Sequence, residues 1–333
     1  MVATVAVAQV AAPAIIVDSD HDGLSDNLEY SLLLQFLPAF MISSEDCSSR
    51  PALFRPQAVM PTVVAEDGTI YGQVFPRKNH GGEIELHFYH LWRRDCGEMG
   101  HLLDTEHVSV LIGKTVNDSS AAWKAIYWYA AAHEDTVCDA SQIARASTID
   151  AETHGTRIWI SAAKHASFLS RELCARGCGG DQCNRMTPLK VEEVINLGES
   201  SRPMNGAIWL TSSRWPLRDK MRRTDFTDAR IDRLDRLPAT DIAWANPAKR
   251  PAQSAIFGVN AGIGGAMTGT RTTNTALVVA ENGTTTALDQ ATGNATHSVS
   301  GAIHSVGKAL RKSIQKTGQV LGVESKQNAD GQP

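Results

Sequence analysis

Hydrophobic and polar positions alternate through the middle of the chain. In "EIELHFYHLW" Ile84, Leu86, Phe88, His90 and Trp92 share one face, and Glu83, Glu85 and His87 share the other. A period of two residues is the signature of a strand. Comparable runs follow in "EHVSVLIGK", "AAWKAIYWYAAAH" and "TRIWISAA", separated by the turn-rich pieces "VNDSS" and "ETHG". The pattern predicts a mainly β protein with a β-sandwich over residues 46–245. Two departures predict helices. Leu28, Leu32, Leu33, Phe36 and Leu37 recur at helical spacing until Pro38, and Ile231, Leu234 and Leu237 do so until Pro238, with Asp225 as the expected N-cap of the second helix.

From residue 246 onward the composition turns to Ala, Gly, Thr and Asn. Such a segment buries too little apolar surface to offset its ordering entropy, so residues 246–333 read as a flexible tail. Within it, Val299, Ile303, Val306, Leu310 and Ile314 form one stripe over 298–322, beside Lys308, Arg311, Lys312 and Lys316. That stripe is the expected element of any peripheral membrane contact. The weighed alternative is a helix that packs on its own domain or frays, since Gly301, Gly307 and Gly318 weaken it. At the other end, residues 1–17 are apolar, with small-residue patterns at 6–8 and 12–14, and read as the remnant of a signal peptide.

The 333 residues carry a net charge of -4, which gathers no polyanion, so a nucleic-acid partner is not expected. The acids concentrate early: Asp18, Asp20, Asp22, Asp26, Glu29, Glu45 and Asp46 face the single Arg50 in the first fifty residues. Six cysteines, at 47, 96, 138, 174, 178 and 183, lack the CxxC pairs of a zinc site and read as disulfides of a secreted, periplasmic or cell-surface protein. Their pairing is left open, and so is the oligomeric state.

Residues 18–45 form the second expected unit, a calcium loop and its helix. "DSDHDGLSDNLE" places acids at positions 1, 3, 5 and 9, Gly23 at 6, the Leu24 carbonyl at 7 and Glu29 at 12, the oxygen set of a calcium loop. Asp18, Asp20, Asp22, Leu24, Asp26 and Glu29 are therefore its expected ligands. The loop resembles EF-hand-like and thrombospondin type 3 calcium loops, which implies a structural clamp. A second acidic group lies in "GHLLDTEHVSV". In an extended chain Asp104 and Glu106 share a face, and two buried carboxylates repel unless a cation or shared proton lies between them. His101 is a further candidate ligand, and His133 and His165 end two later strands.

"GHLLDTEHVSV", "AAAHED" and "SAAKHASF" together resemble the vacuolar protein sorting 62-like family. They are more distantly similar to the necrosis- and ethylene-inducing peptide-like cytolysins, whose heptapeptide reads Gly-His-x-His-Asp-x-Glu. The resemblance implies a β-sandwich with a divalent cation, Mg2+ or Ca2+, held at its rim by His101, Asp104 and Glu106. Leu103 stands in place of the second His of that heptapeptide, and Thr105 where those cytolysins carry a Trp. The function expected is a secreted calcium-binding β-sandwich that binds a glycan or lipid headgroup at this rim. Two alternatives stand beside it: a metal-dependent hydrolase with His133 or His165 as base, and a purely structural surface protein. Trp123, Trp128, Trp159 and Trp209 read as core rather than as a sugar-stacking surface. The sequons at Asn117, Asn282 and Asn294 bear on a eukaryotic secretory route alone.

Overall fold

The chain begins with the acidic loop and helix α1 (Asp26–Gln35), capped by the Ser25 hydroxyl, which accepts from the Leu28 N–H. Strands β1 (Ala39–Ser43), β2 (Leu53–Arg55), β3 (Thr62–Ala65), β4 (Ile70–Pro76), β5 (Glu83–Arg94), β6 (Leu102–Lys114), β7 (Trp123–Ala130) and β8 (Gln142–Arg145) follow. Then come β9 (Arg157–Ile160), β10 (Ser167–Phe168), α2 (Arg171–Cys174), β11 (Met186–Pro188), β12 (Val194–Leu197), α3 (Asp228–Asp235) and β13 (Ile242–Trp244). This computed structural model describes residues 17–249 apart from 56–58, 78, 97–99, 115–121, 176–180, 199–213, 216, 219, 223 and 240–241. The expected signal remnant up to residue 16, the expected tail from residue 250 with its basic helix, Trp209 and the three sequons lie outside the described residues, whereas Asn246 accepts from Arg230 and donates to Asp139.

Seven strands form one sheet in the order β12-β4-β5-β6-β7-β8-β13, four form a second in the order β10-β9-β1-β11, and β2 pairs with β3. The expected β-sandwich is present. Ile84, Leu86, Phe88 and Trp92 of β5 and Val108, Val110 and Ile112 of β6 pack with Phe40 of β1, Ile158 and Ile160 of β9, and Leu32, Leu33 and Phe36 of α1. The alternation in the sequence thus reports the face turned toward the second sheet. Two pairings escape local reading: β12 runs parallel to β4, and β9 parallel to β1. Parallel strands need long crossovers, so no hairpin signal announces them.

The opposite face of the large sheet is buried as well. Tyr71, Tyr89 and Leu91 pack with Trp215 and Leu217, while Leu111, Tyr127 and Tyr129 pack with Phe226, Leu234 and Leu237. This is why Glu85, His87, His107 and Ser109 are fully inaccessible, a burial that alternation alone does not foretell. The late helix corrects one expectation. Asp225 is not its N-cap: the Thr227 side chain accepts from the Arg230 N–H, and Asp225 points into the buried face, where Ser109 and His107 donate to it. A carboxylate finds stronger partners there than a single helix-end N–H.

Cys47 bonds Cys96, Cys174 bonds Cys183, and Cys138 is also disulfide-bonded. Trp128 is buried and donates from its indole to the Ala151 carbonyl, as expected of a core tryptophan. Trp123 and Trp159 are partly buried. No helix among the described residues is long and apolar enough to cross a membrane.

Candidate functional site

Two acidic sites organise the described chain, one at each place the sequence singles out. In the N-terminal loop, Asp18, Asp20 and Asp22 each present a carboxylate oxygen, all within 4.8 Å of one another. The loop is held by its own backbone. The Asp18 carboxylate accepts from the N–H groups of His21 (2.8 Å) and Gly23 (3.2 Å), Asp22 accepts from Leu24 (2.7 Å), and the Asp26 N–H closes the turn on the Val17 carbonyl. Gly23 has a φ of 96°, a left-handed conformation that favours glycine.

Asp26 and Glu29 take different places. The Asp26 carboxylate accepts from both the N–H (2.8 Å) and the hydroxyl (2.6 Å) of Ser19, so it buttresses the loop from within. Glu29, the twelfth position, is buried under α1, and its Oε2 accepts from Asn196 of β12 at 3.1 Å. Its Oε1 is buried with no hydrogen-bond partner. Burial, followed by Asp20, Asp22 and Asp26, pushes the Glu29 carboxyl up to about 8. An acid so raised beside three other acids, with one bare buried oxygen, is the environment a bound cation corrects. The donor set is all oxygen and largely anionic, as a hard dication such as calcium requires.

The second site lies where β5 ends and β6 begins. Asp104 Oδ2 lies 2.9 Å from His165 Nδ1, and the other ring nitrogen of His165 lies 3.3 Å from Asp46. The imidazole stacks on Trp92, ring centroids 4.0 Å apart. Burial draws the His165 pKa down, but hydrogen bonds and charge from Asp104 and Asp46 outweigh it and hold the ring at about 9. Reciprocally, burial raises Asp104 and His165 overcomes it, holding the carboxyl below its usual range. Glu106, pushed up mainly by burial, accepts from Lys220 Nζ at 3.1 Å. His133 pairs with Asp181 at 2.7 Å, and Asp181 outweighs burial to raise its pKa. Lys164 donates to Asp95 at 2.8 Å, and Arg222 to Glu134 and Asp135 at 3.2 and 2.6 Å.

The structure therefore brings Asp104, Glu106, His133 and His165 to one rim. His101 is more than half exposed, its ring 3.9 Å from Asp95. The two carboxylates do carry counter-cations, as their shared face demands, and the chain supplies them itself: His165 for Asp104 and Lys220 for Glu106. The three-ligand groups found among the described residues are Asp18–Asp20–Asp22 and a buried one, His87–His107–Asp225. Sequence reasoning missed Asp46, Asp181, Lys220 and Arg222 as rim residues. Nothing local marks them, because each comes from a loop that only the tertiary fold brings to β6.

No family model matches the chain, and no curated protein matches it. Among solved structures it is similar to a triple mutant of NLPPya, at 17% identity and a TM-score of 0.31, over 60% of this chain and 81% of that one. It is also similar to NLPPya in complex with glucosamine, at 17% identity and a TM-score of 0.29, over 56% and 78%. A third similarity is to necrosis and ethylene inducing protein 2 from the causal agent of cocoa's witches' broom disease, at 19% identity and a TM-score of 0.27, over 42% and 67%.

Proposed function

We propose that this protein is a secreted, calcium-clamped β-sandwich that binds a polyhydroxylated sugar at the β5–β6 rim, whether as a free glycan or as a glycolipid headgroup. The observation that carries the reading is the array of fixed charges there. Asp104 and Glu106 project from one face of β6 and are pinned by His165 and Lys220, with Lys164, Arg222 and His133 partly exposed around them. Sugar hydroxyls both donate and accept, and alternating acceptors and donors whose orientations are already set lose little entropy on binding them. Secretion is supported by the disulfides, which persist in oxidising compartments.

Asp18, Asp20, Asp22, the Leu24 carbonyl and Glu29 would hold calcium, with Asp26 buttressing the loop. Bound there, the ion supplies positive charge that ties the loop to α1 and, through Glu29 and Asn196, to β12. At the rim, a Mg2+ or Ca2+ ion on His101, Asp104 and Glu106 requires Lys220 to leave Glu106 and the exposed His101 to swing inward. Lys220 supplies a cation at Glu106, and sugar binding is assigned to the rim's own side chains, with an ion on His101, Asp104 and Glu106 as the second reading.

The hydrolase alternative asks His133 or His165 to act as a base. Their carboxylate partners hold both rings above the ordinary histidine pKa, His165 at about 9, which disfavours either as a base. The protein is assigned as a binder.

Titration calorimetry with free glucosamine, run beside flotation with glycolipid-bearing vesicles, tests the reading. Binding in either arm, weakened at least tenfold by Lys220→Met and unchanged by chelator, is expected. Retention of neither free sugar nor glycolipid would overturn the proposal.

A further inference from the structure

The buried face of the large sheet holds a group of side chains that the rim and the loop do not use. On β5 and β6, whose register sets His87 opposite Ser109 and Tyr89 opposite His107, the side chains of His87, His107 and Ser109 point away from the second sheet. Asp225, from the segment entering α3, lies over them. All four are at most 1% exposed.

Their hydrogen bonds leave a gap at the centre. Asp225 Oδ2 accepts from the Ser109 hydroxyl at 2.6 Å and from His107 Nε2 at 3.0 Å. Glu85 Oε2 accepts from the Asp225 N–H at 3.1 Å and from His87 Nε2 at 3.2 Å. His87 Nδ1 faces Asp225 Oδ2 from 3.7 Å, too far for a hydrogen bond. His87 Nδ1 has no hydrogen-bond partner, and neither do Asp225 Oδ1 and Glu85 Oε1. Buried nitrogen and oxygen atoms that face one another without a hydrogen bond are a costly arrangement that a cation bound to both would correct. Arg77 approaches Glu85 alone of these groups, at 3.8 Å.

We propose that His87 Nδ1, His107 Nε2 and Asp225 Oδ2 form a site for a first-row transition-metal dication, with zinc the best-suited ion. Each offers one ligand atom, and the three lie within 4.8 Å of one another. Two imidazoles and one carboxylate are a donor set for zinc rather than for calcium, which takes oxygens. Glu85 supplies the outer partner such a site needs. It accepts from the far ring nitrogen of His87, which leaves Nδ1 free as the ligand and fixes the ring. On binding, the proton at His107 Nε2 leaves that nitrogen, either to Nδ1 or to solvent. A cavity of about 570 Å3 lined by Arg77, His80, Thr224 and Phe226 reaches Glu85, the outer partner of the site.

The test uses the full chain, equilibrated with micromolar Zn2+, gel-filtered and assayed for metal by plasma mass spectrometry. Parallel loading with Co2+ is read by visible absorption, which reports nitrogen and oxygen coordination. About one zinc per chain is expected, lost in Asp225→Asn and in His107→Gln. Glu85→Gln is expected to weaken zinc about 10–100-fold. The loop variant Asp20→Asn should retain the zinc in full. Because both metal readouts use the unmutated chain, misfolding of a variant cannot mimic failure. Absence of a retained equivalent and of a cobalt band from the unmutated protein overturns the proposal, as does zinc that departs with Asp20→Asn but survives Asp225→Asn.

Discussion

His165 shows how one side chain joins burial, charge and recognition. It is fully inaccessible, stacks on Trp92 and stays protonated because Asp104 and Asp46 flank it. Its folded pKa of about 9 lies above the ordinary value of 6.5. The stability it contributes is therefore complete below about 6.5 and is lost as pH rises through about 9. Asp104 shifts the other way, so its contribution is present above its ordinary 3.8 and is lost on acidification. In millimolar calcium, which takes up the Glu29 contribution, melting temperature against pH should show a plateau between these limits and an alkaline decline that His165→Gln reduces. A parent protein whose melting point is flat from pH 6.5 to 9 would refute the pairing. Asp104→Ala should destabilise by about 3–5 kcal/mol, since it leaves a buried imidazolium with Asp46 alone, and urea titration measures this.

At the scale of elements, α1 is placed by the loop before it and the strand beneath it. Burial and the neighbouring acids raise Glu29 to about 8 from an ordinary 4.5, so without calcium the protein loses stability as pH climbs through that interval. Millimolar calcium should flatten this loss, and Glu29→Gln should remove it while abolishing the response to calcium; scanning fluorimetry in chelator and in calcium reads both effects. The helix also sits close on β4, where a Cβ built on Gly72 would lie 2.6 Å from a Leu33 methyl carbon. Gly155 is tighter, its Cβ falling 1.8 Å from the Leu37 carbonyl oxygen. A side-chain methyl can shift and a backbone carbonyl at a helix exit cannot. Gly72→Ala should therefore cost about 1–3 kcal/mol and Gly155→Ala more, as judged by urea midpoints.

Across the whole molecule, the Cys47–Cys96 bond, with a separation of 49, links the turn after β1 in the small sheet to the end of β5 in the large one. The Cys174–Cys183 bond spans 9 residues beside α2. Closing the longer loop restricts the unfolded chain more, so within the usual ~2–4 kcal/mol range Cys47→Ala/Cys96→Ala should destabilise further than Cys174→Ala/Cys183→Ala. Denaturant unfolding of the two double variants tests the order. Because the larger link sits beside Asp46 and Asp95, its loss should also loosen the rim and weaken sugar binding, whereas the shorter link should leave binding nearly unchanged.

Local periodicity determined the mainly β class, the helix after the acidic loop and the inward face of β5 and β6, since those features depend on residues two to four apart. Charge spacing likewise singled out Asp18 to Glu29 and the pair Asp104 and Glu106, because strand and loop geometry place such neighbours together without help from the rest of the chain. Long-range packing decided the remainder. The parallel pairings of β12 with β4 and β9 with β1, the cover that Trp215, Leu217, Phe226, Leu234 and Leu237 lay over the large sheet, and the delivery of Lys220, His165 and Asp46 to the rim join positions roughly 60 to 145 residues apart. Asp225 carries the difference in one residue: its neighbours suggest a helix cap, while the cost of burying its carboxylate is offset by partners such as His107 and Ser109, more than a hundred positions away.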